Sequence, residues 1–137
     1  MKTIILAIAI LVAQVTHALA QDVEATILIA HNTPREQQRI QKLVGDRNLD
    51  AIAQAHANWM VANRNLTHQS LNKIMRTWRT GGENIACGQR TEAEVLRSWI
   101  NSSGHRANIL NRNFTHVGFG IAVAADGTVY WCVNFGG

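Results

Sequence analysis

His68, Glu83 and His105 are the side chains whose types and separation could do chemistry. Glu83 is a lone carboxylate in the uncharged run Gly81-Gly82-Glu83-Asn84-Ile85, and His105 follows Gly104 about one helix later. Burying such groups is costly unless they are hydrogen-bonded, paired or bound to a metal. Two imidazoles and one carboxylate would leave a coordination position open for water, as catalytic zinc sites do. No HExxH helix is present and the cysteines lack zinc-finger spacing, so spacing alone leaves a metal site and a set of structural histidines both open. Ser102 lies on the inward side of its helix, as either a bonded core hydroxyl or a site wall. With His105 it forms an i, i+3 pair of the kind nucleophilic catalysis uses, but no G-x-S-x-G elbow surrounds it.

The other polar residues have plainer readings. Glu92 and Glu94 suit a helix start, Asp126 a turn, and Asp46 and Asp50 the favourable end of a helix dipole. Glu83 is left without a second carboxylate for glycosidase-type chemistry. Cys87 follows Ile85-Ala86 and reads as buried or disulfide-bonded rather than nucleophilic. An even pair, Cys87 and Cys132, invites a disulfide in an oxidising compartment; two small buried hydrophobes are the alternative, and spacing does not decide between them. His56 falls in the middle of an apolar helix face and reads as a satisfied core histidine rather than a ligand. Asn65, Asn101 and Asn113 open N-x-S/T sequons.

The elements that must position these residues follow an expected leader. Lys2, the apolar run Ile4 to Val15 and the small-x-small site Ala18-Leu19-Ala20 read as a signal peptide over 1–20, with Gln21 as the mature N-terminus. The run is too short and wrongly flanked to span a membrane. Residues 21–137 then form one domain, expected to be exported (extracellular or periplasmic), monomeric and without a membrane span. Loss of Lys2 leaves twelve Lys and Arg against nine Asp and Glu, ten of the twelve being Arg. Such a surface suits anionic partners. Its charges are scattered with no aromatic-interleaved stripe, so nucleic-acid binding is unsupported.

Periodicity supplies the architecture. Asp22 opens a helix that Pro34 should end or redirect. Residues 35–45 are ambiguous between helix and loop. Residues 48–64 show i, i+3, i+4, i+7 apolar spacing. Leu71, Ile74, Met75 and Trp78 suggest one or two further turns. Thr91-x-x-Glu94 is a capping box, and Gly104 is a natural left-handed terminator of the helix it opens. Val117, Phe119, Ile121 and Val123 alternate with Gly118 and Gly120, Asp126-Gly127 marks a turn, and Val129, Trp131, Val133 and Phe135 return on one face. The two strand glycines imply close approach by another element. With a further strand near 84–88, this is an α+β sandwich.

The chain resembles the CAP (SCP) superfamily of cysteine-rich secretory, antigen 5 and pathogenesis-related proteins, in its bacterial, cysteine-poor branch. The resemblance rests on His31-Asn32-x-x-Arg35, Ala55-His56-Ala57-x-Trp59-Met60, Leu66-Thr67-His68-Gln69-Ser70, Gly82-Glu83-Asn84-Ile85-Ala86-x-Gly88, Trp99-x-x-Ser102-x-Gly104-His105-Arg106-x-Asn108-Ile109-Leu110, His116-Val117-Gly118-x-Gly120 and Tyr130-Trp131-x-x-x-Phe135-Gly136. It implies a three-layer α-β-α sandwich with a small antiparallel sheet between helices. It also implies a cavity of two His and two acids, matched here by His68, Glu83 and His105, with Ser102 at the second acidic position. That departure removes one charge. The four groups could hold zinc or another divalent cation, with His68, His105 and Glu83 as ligands, or form a metal-free cluster. Pro34 interrupts the family's first helix, which implies altered geometry there. The family's usual disulfides are not reproduced.

No single activity transfers from a shared fold. The leading expectation is a secreted binding module for a lipid, a cell-wall glycan or a protein; zinc or another divalent cation is the one cofactor the four groups would suit. The alternative is a divalent-metal-dependent hydrolase, such as a peptidase, using His68, Glu83 and His105.

Overall fold

The computed structural model describes residues 22–137 and, before them, residue 14 alone. The leader expected over 1–20 lies outside the described residues. Helices flank a four-stranded sheet of order β1-β3-β4-β2. Strands β2 (Gly81–Cys87), β3 (His116–Val123) and β4 (Val129–Gly136) pair antiparallel, and the two-residue β1 (Val44–Gly45) pairs parallel with β3.

The period-2 pattern of β4 divides the core. Trp131, Val133 and Phe135 join Val117 and Phe119 in one cluster with Ile27, Trp99 and Ile109. These last come from α1 (22–37), α4 (Glu92–Asn101) and α5 (Ser103–Ile109). Tyr130 and Cys132 face the other way, with Ile85, onto Ala53, Ala57 and Met60 of α2 (Arg47–Asn63). The result is helix, sheet, helix, as the alternation predicts.

Gly118 and Gly120 bring α2 onto the sheet. A Cβ at Gly118 would lie 2.2 Å from the backbone of Leu49 and Asp50, and one at Gly120 would lie 2.3 Å from Ala53. No side chain fits there. Asp46 caps α2 by accepting from the Leu49 amide at 2.9 Å, and Arg64 closes it in the left-handed region at φ 49°. The short α3 (Asn72–Met75) supplies the turn expected near Ile74.

The first helix corrects the expectation drawn from Pro34: α1 runs through the proline to residue 37. Tertiary contacts override the local rule, because Ile27, His31 and Arg35 form a fully buried i, i+4, i+8 stripe. The Arg35 guanidinium donates to Gln41 O at 2.8 Å and to Ile109 O, Asn111 O and Phe114 O at 2.9 Å. It thereby fastens the loop after α1 to the carbonyl end of α5, where a cation also suits the helix dipole. Gly104 is likewise not a terminator. It lies inside α5, and the break falls at Ser102, whose extended backbone (φ −100°, ψ 123°) ends α4 and starts α5. The capping box is shifted by one residue. Thr91 Oγ1 accepts from the Glu94 amide at 3.2 Å, while Glu94 reaches back to the Arg90 amide at 2.8 Å.

Side chains bond to groups on both long sheet edges. Beyond its short pairing with β1, β3 turns its outer groups to α2: Asp50 Oδ1 accepts from Phe119 N at 2.8 Å, and Gln54 exchanges bonds with Ile121 N and O at 3.1 and 2.8 Å. On β2, Asn108 Nδ2 donates to Glu83 O at 3.0 Å and Trp99 Nε1 to Ile85 O at 3.2 Å. Unpaired strand edges invite foreign strands, and these bonds occupy part of each edge.

Cys87 and Cys132 are free thiols. Cys87 stands opposite Tyr130 and Cys132 opposite Ile85, so the two share a face as diagonal neighbours. Diagonal Cα atoms lie about 7–8 Å apart, at or beyond the reach of a disulfide. Among the described residues no helix is long and apolar enough to cross a membrane.

Candidate functional site

Glu83 owes its position to β2, whose alternation points it to the α2 face opposite Asn134. The segment leaving α2 then lays His68 and Gln69 over it. His68 Nδ1 meets Glu83 Oε1 at 2.8 Å, and the Gln69 amide donates to the same oxygen at 3.2 Å. Glu83 Oε2 accepts from Gln69 Nε2 at 2.7 Å and from Cys132 Sγ at 3.5 Å. Oriented by its partners, the Asn134 amide donates to Glu83 Oε2 at 3.3 Å and accepts from Gln69 Nε2 at 3.3 Å. Five donors therefore surround a carboxylate that is 2% exposed, while the His68 side chain above it is 61% exposed. Burial first, then Glu83, pushes the Cys132 thiol far up, so it serves as a neutral donor and not a nucleophile.

This arrangement fixes a tautomer. With Nδ1–H given to Glu83, the Nε2 of a neutral His68 is a lone-pair acceptor facing outward, in the way carboxylates orient ligating or basic histidines elsewhere. It opens on a groove of about 490 Å³ walled by Ala55, His56 and Trp59 of α2, by Thr67, His68, Gln69 and Ser70 of the connecting segment, and by Asn72, Lys73 and Arg76 of and after α3. His56 is satisfied in this wall: its Nε2 bonds Thr67 O at 2.7 Å, and its ring stacks on Trp59 at 5.8 Å.

Ser102 and His105 form a second pair. Ser102 Oγ meets His105 Nδ1 at 2.9 Å at the α4–α5 break. Asn84, on the opposite face of β2 from Glu83, donates to His105 O at 3.0 Å, and Asn108 Nδ2 donates to Asn84 Oδ1 at 2.9 Å. Burial, and next the charge of nearby His68, push the His105 imidazole below its ordinary value. Neither Ser102 nor His105 is a wall of the groove at His68. The four sequence-selected residues thus stand as two hydrogen-bonded pairs.

As arranged, the set does not fit a metal centre. Among the described residues no three His, Cys, Asp or Glu side chains converge to hold an ion. The Glu83 oxygens are engaged by protein donors, and the Nδ1 of each histidine is engaged as well. Two outward Nε2 atoms are what remains.

Sequence reasoning did not single out Gln69, Asn134 or Cys132 as partners of Glu83, nor Trp59, Lys73 and Arg76 as groove walls. Gln69 is adjacent to His68, and Asn134 interrupts an apolar strand, which is the signal that would have marked it.

The Bacillus subtilis protein YkwD is 38% identical to this chain over 71% of its length. The chain spans about two fifths of that relative, 41%. An extracellular Bacillus anthracis protein containing an SCP domain superposes with a TM-score of 0.74 at 27% identity, over 85% of this chain and 40% of that one. A Borrelia burgdorferi outer surface protein shares the fold with a TM-score of 0.71 at 22% identity, over 82% of this chain and 86% of that one. The profile of the CAP, or cysteine-rich secretory protein, family matches residues 28–135, more than half of the sequence, and the chain belongs to that family.

Proposed function

We propose that residues 21–137 are an exported, single-domain binding module whose ligand occupies the groove at His68. The observation that carries this is the pairing of an open imidazole with a saturated carboxylate. Glu83 is enclosed and fully engaged, so it orients His68 and has no free lone pair to offer as a general base. The His68 ring faces a groove whose size falls in the ordinary range of ligand sites, about 300–1,000 Å³. Export agrees with the expected leader and with the extracellular and outer-surface setting of the two structural relatives.

The test is an array of glycans and lipids probed with wild type beside His68→Ala and Trp59→Ala. A ligand held by wild type and lost in both variants, with unfolding temperatures unchanged, supports the groove. A ligand retained by both variants overturns it. Elemental analysis of the same preparations decides the hydrolase alternative. Stoichiometric zinc in wild type that is lost in His68→Ala and Glu83→Gln would replace a binding module with a metal site.

A further inference from the structure

Lys73 and Arg76 stand three residues apart, on α3 and at its end, and both wall the groove at His68. Side chains at this spacing share a helix face. Among the described residues the ion pairs are Lys42 with Glu36 and His68 with Glu83, so neither groove cation has an acidic partner. Glu83 is the carboxylate beside this wall and it is enclosed. The α2 part of the same groove carries Trp59, which is 44% exposed although one face of its indole stacks on His56. Ser70 and Asn72, in the same lining, offer a hydroxyl and an amide.

From this juxtaposition we infer that the groove binds an anionic saccharide, with Trp59 against the C–H face of a sugar ring and Lys73 and Arg76 on its carboxylate or phosphate. The inference deepens the groove reading and rests on it. An indole presents a flat apolar surface with a polar edge, which suits a sugar ring. Unpaired cations facing it add charge complementarity. Hydroxyl and amide side chains suit sugar hydroxyls. Other ligand classes fit less well. An acyl chain needs a slot lined by apolar groups alone, and here two cations, two imidazoles, two amides and two hydroxyls stand beside Ala55 and Trp59. A single strand of nucleic acid needs successive aromatic platforms, and there is one. A β-strand peptide needs a free sheet edge, and side chains already bond to groups on both long edges.

Calorimetric titration with tetragalacturonate and with a glycerol-phosphate-linked glycan separates the two sources of anion, with neutral cellotetraose, sodium phosphate and a dT oligomer alongside. At least one acidic glycan is expected to bind about tenfold more tightly than cellotetraose, and more weakly as salt rises. Trp59→Ala should weaken binding about tenfold, and Lys73→Ala and Arg76→Ala about threefold each. All three residues are surface groups, so unchanged unfolding temperatures accompany the loss. Equal binding of neutral and acidic glycans, or no effect of the two cation variants, overturns the anionic inference while leaving a groove that binds sugar. Binding of phosphate alone as tightly as the glycan, or of the dT oligomer in preference, overturns the saccharide. Glycan binding untouched by Trp59→Ala and His68→Ala overturns the groove itself.

Discussion

His31 and His68 are the same side chain in opposite settings. His31 is fully buried among Trp99, Phe119 and Phe135, with ring centroids 5.8, 5.2 and 6.2 Å away. Its Nδ1 donates one turn back to Ile27 O at 2.8 Å, and its Nε2 has no partner. Burial outweighs that carbonyl and pushes its pKa down to about 4, so the ring is neutral wherever the fold is at home. His68 meets a carboxylate instead, and its ring faces solvent. The α1 side of the sheet spends its polar groups on closure, with Arg35 as the clasp. The α2–α3 side spends them on holding one imidazole outward. What separates a structural histidine from an available one is therefore the partner on Nδ1 and what lies beyond Nε2.

Arg35 offers the sharpest way to break the closed side. Arg35→Met strands four carbonyls that accept charge-assisted bonds, and the expected loss is about 4 kcal/mol, read as a lower urea midpoint. Arg35→Lys should recover less than half, because an ammonium cannot reproduce the planar fork. Neither change should alter ligand affinity at a temperature where the variant is folded.

Acid comes next. Between pH 6.5 and about 4 the unfolded chain protonates His31 and the folded chain does not, so stability falls as pH drops through that window. The full effect is about 3 kcal/mol, and His31→Phe should flatten that limb of the stability profile. An unchanged profile would mean that His31 is not sealed.

On the open side, Glu83→Gln places an amide among groups that already donate, at a cost of about 2 kcal/mol in thermal unfolding, and frees His68 from its tautomer. Ligand affinity should fall with it. A stable variant with full affinity would show that the dyad is ornamental to binding.

The smallest effect is at the β3 edge. Burial, partly offset by the Phe119 amide and reinforced by Glu24, raises Asp50 to about 6 from 3.8. The folded chain therefore holds that proton longer, and this contribution to stability is lost as pH rises from about 4 to 6, opposite in sign to His31. Asp50 is partly exposed, so screening limits the effect to under about 1 kcal/mol. Asp50→Asn keeps an acceptor for Phe119 N and should be neutral to slightly stabilising at pH 8 in calorimetry.

The sequence showed the sheet and the close packing of α2 best, because alternation and the glycines at 118 and 120 are local patterns with one physical meaning. It misplaced the end of α1, because Pro34 is a local signal and Arg35 answers to carbonyls more than seventy residues away. It read residues 44 and 45 as the end of a helix-or-loop segment and missed the strand there, since two paired residues have no period. Asp50 was accounted for as a helix-start residue, and its second role on Phe119 N appears only once β3 lies beside it. The family resemblance put His68, Glu83, Ser102 and His105 around one cavity. Which partner each histidine takes, Glu83 for His68 and Ser102 for His105, is set by side-chain placement that no spacing rule specifies.

The most direct test is NMR of the histidine rings during titration with whichever of tetragalacturonate and the glycerol-phosphate-linked glycan binds more tightly. The account predicts that the His68 ring signals shift with ligand in a saturating manner, that His31 signals stay fixed, and that His31 remains neutral down to about pH 4. Movement of His31 with His68 unchanged, or protonation of His31 near 6.5, would contradict it.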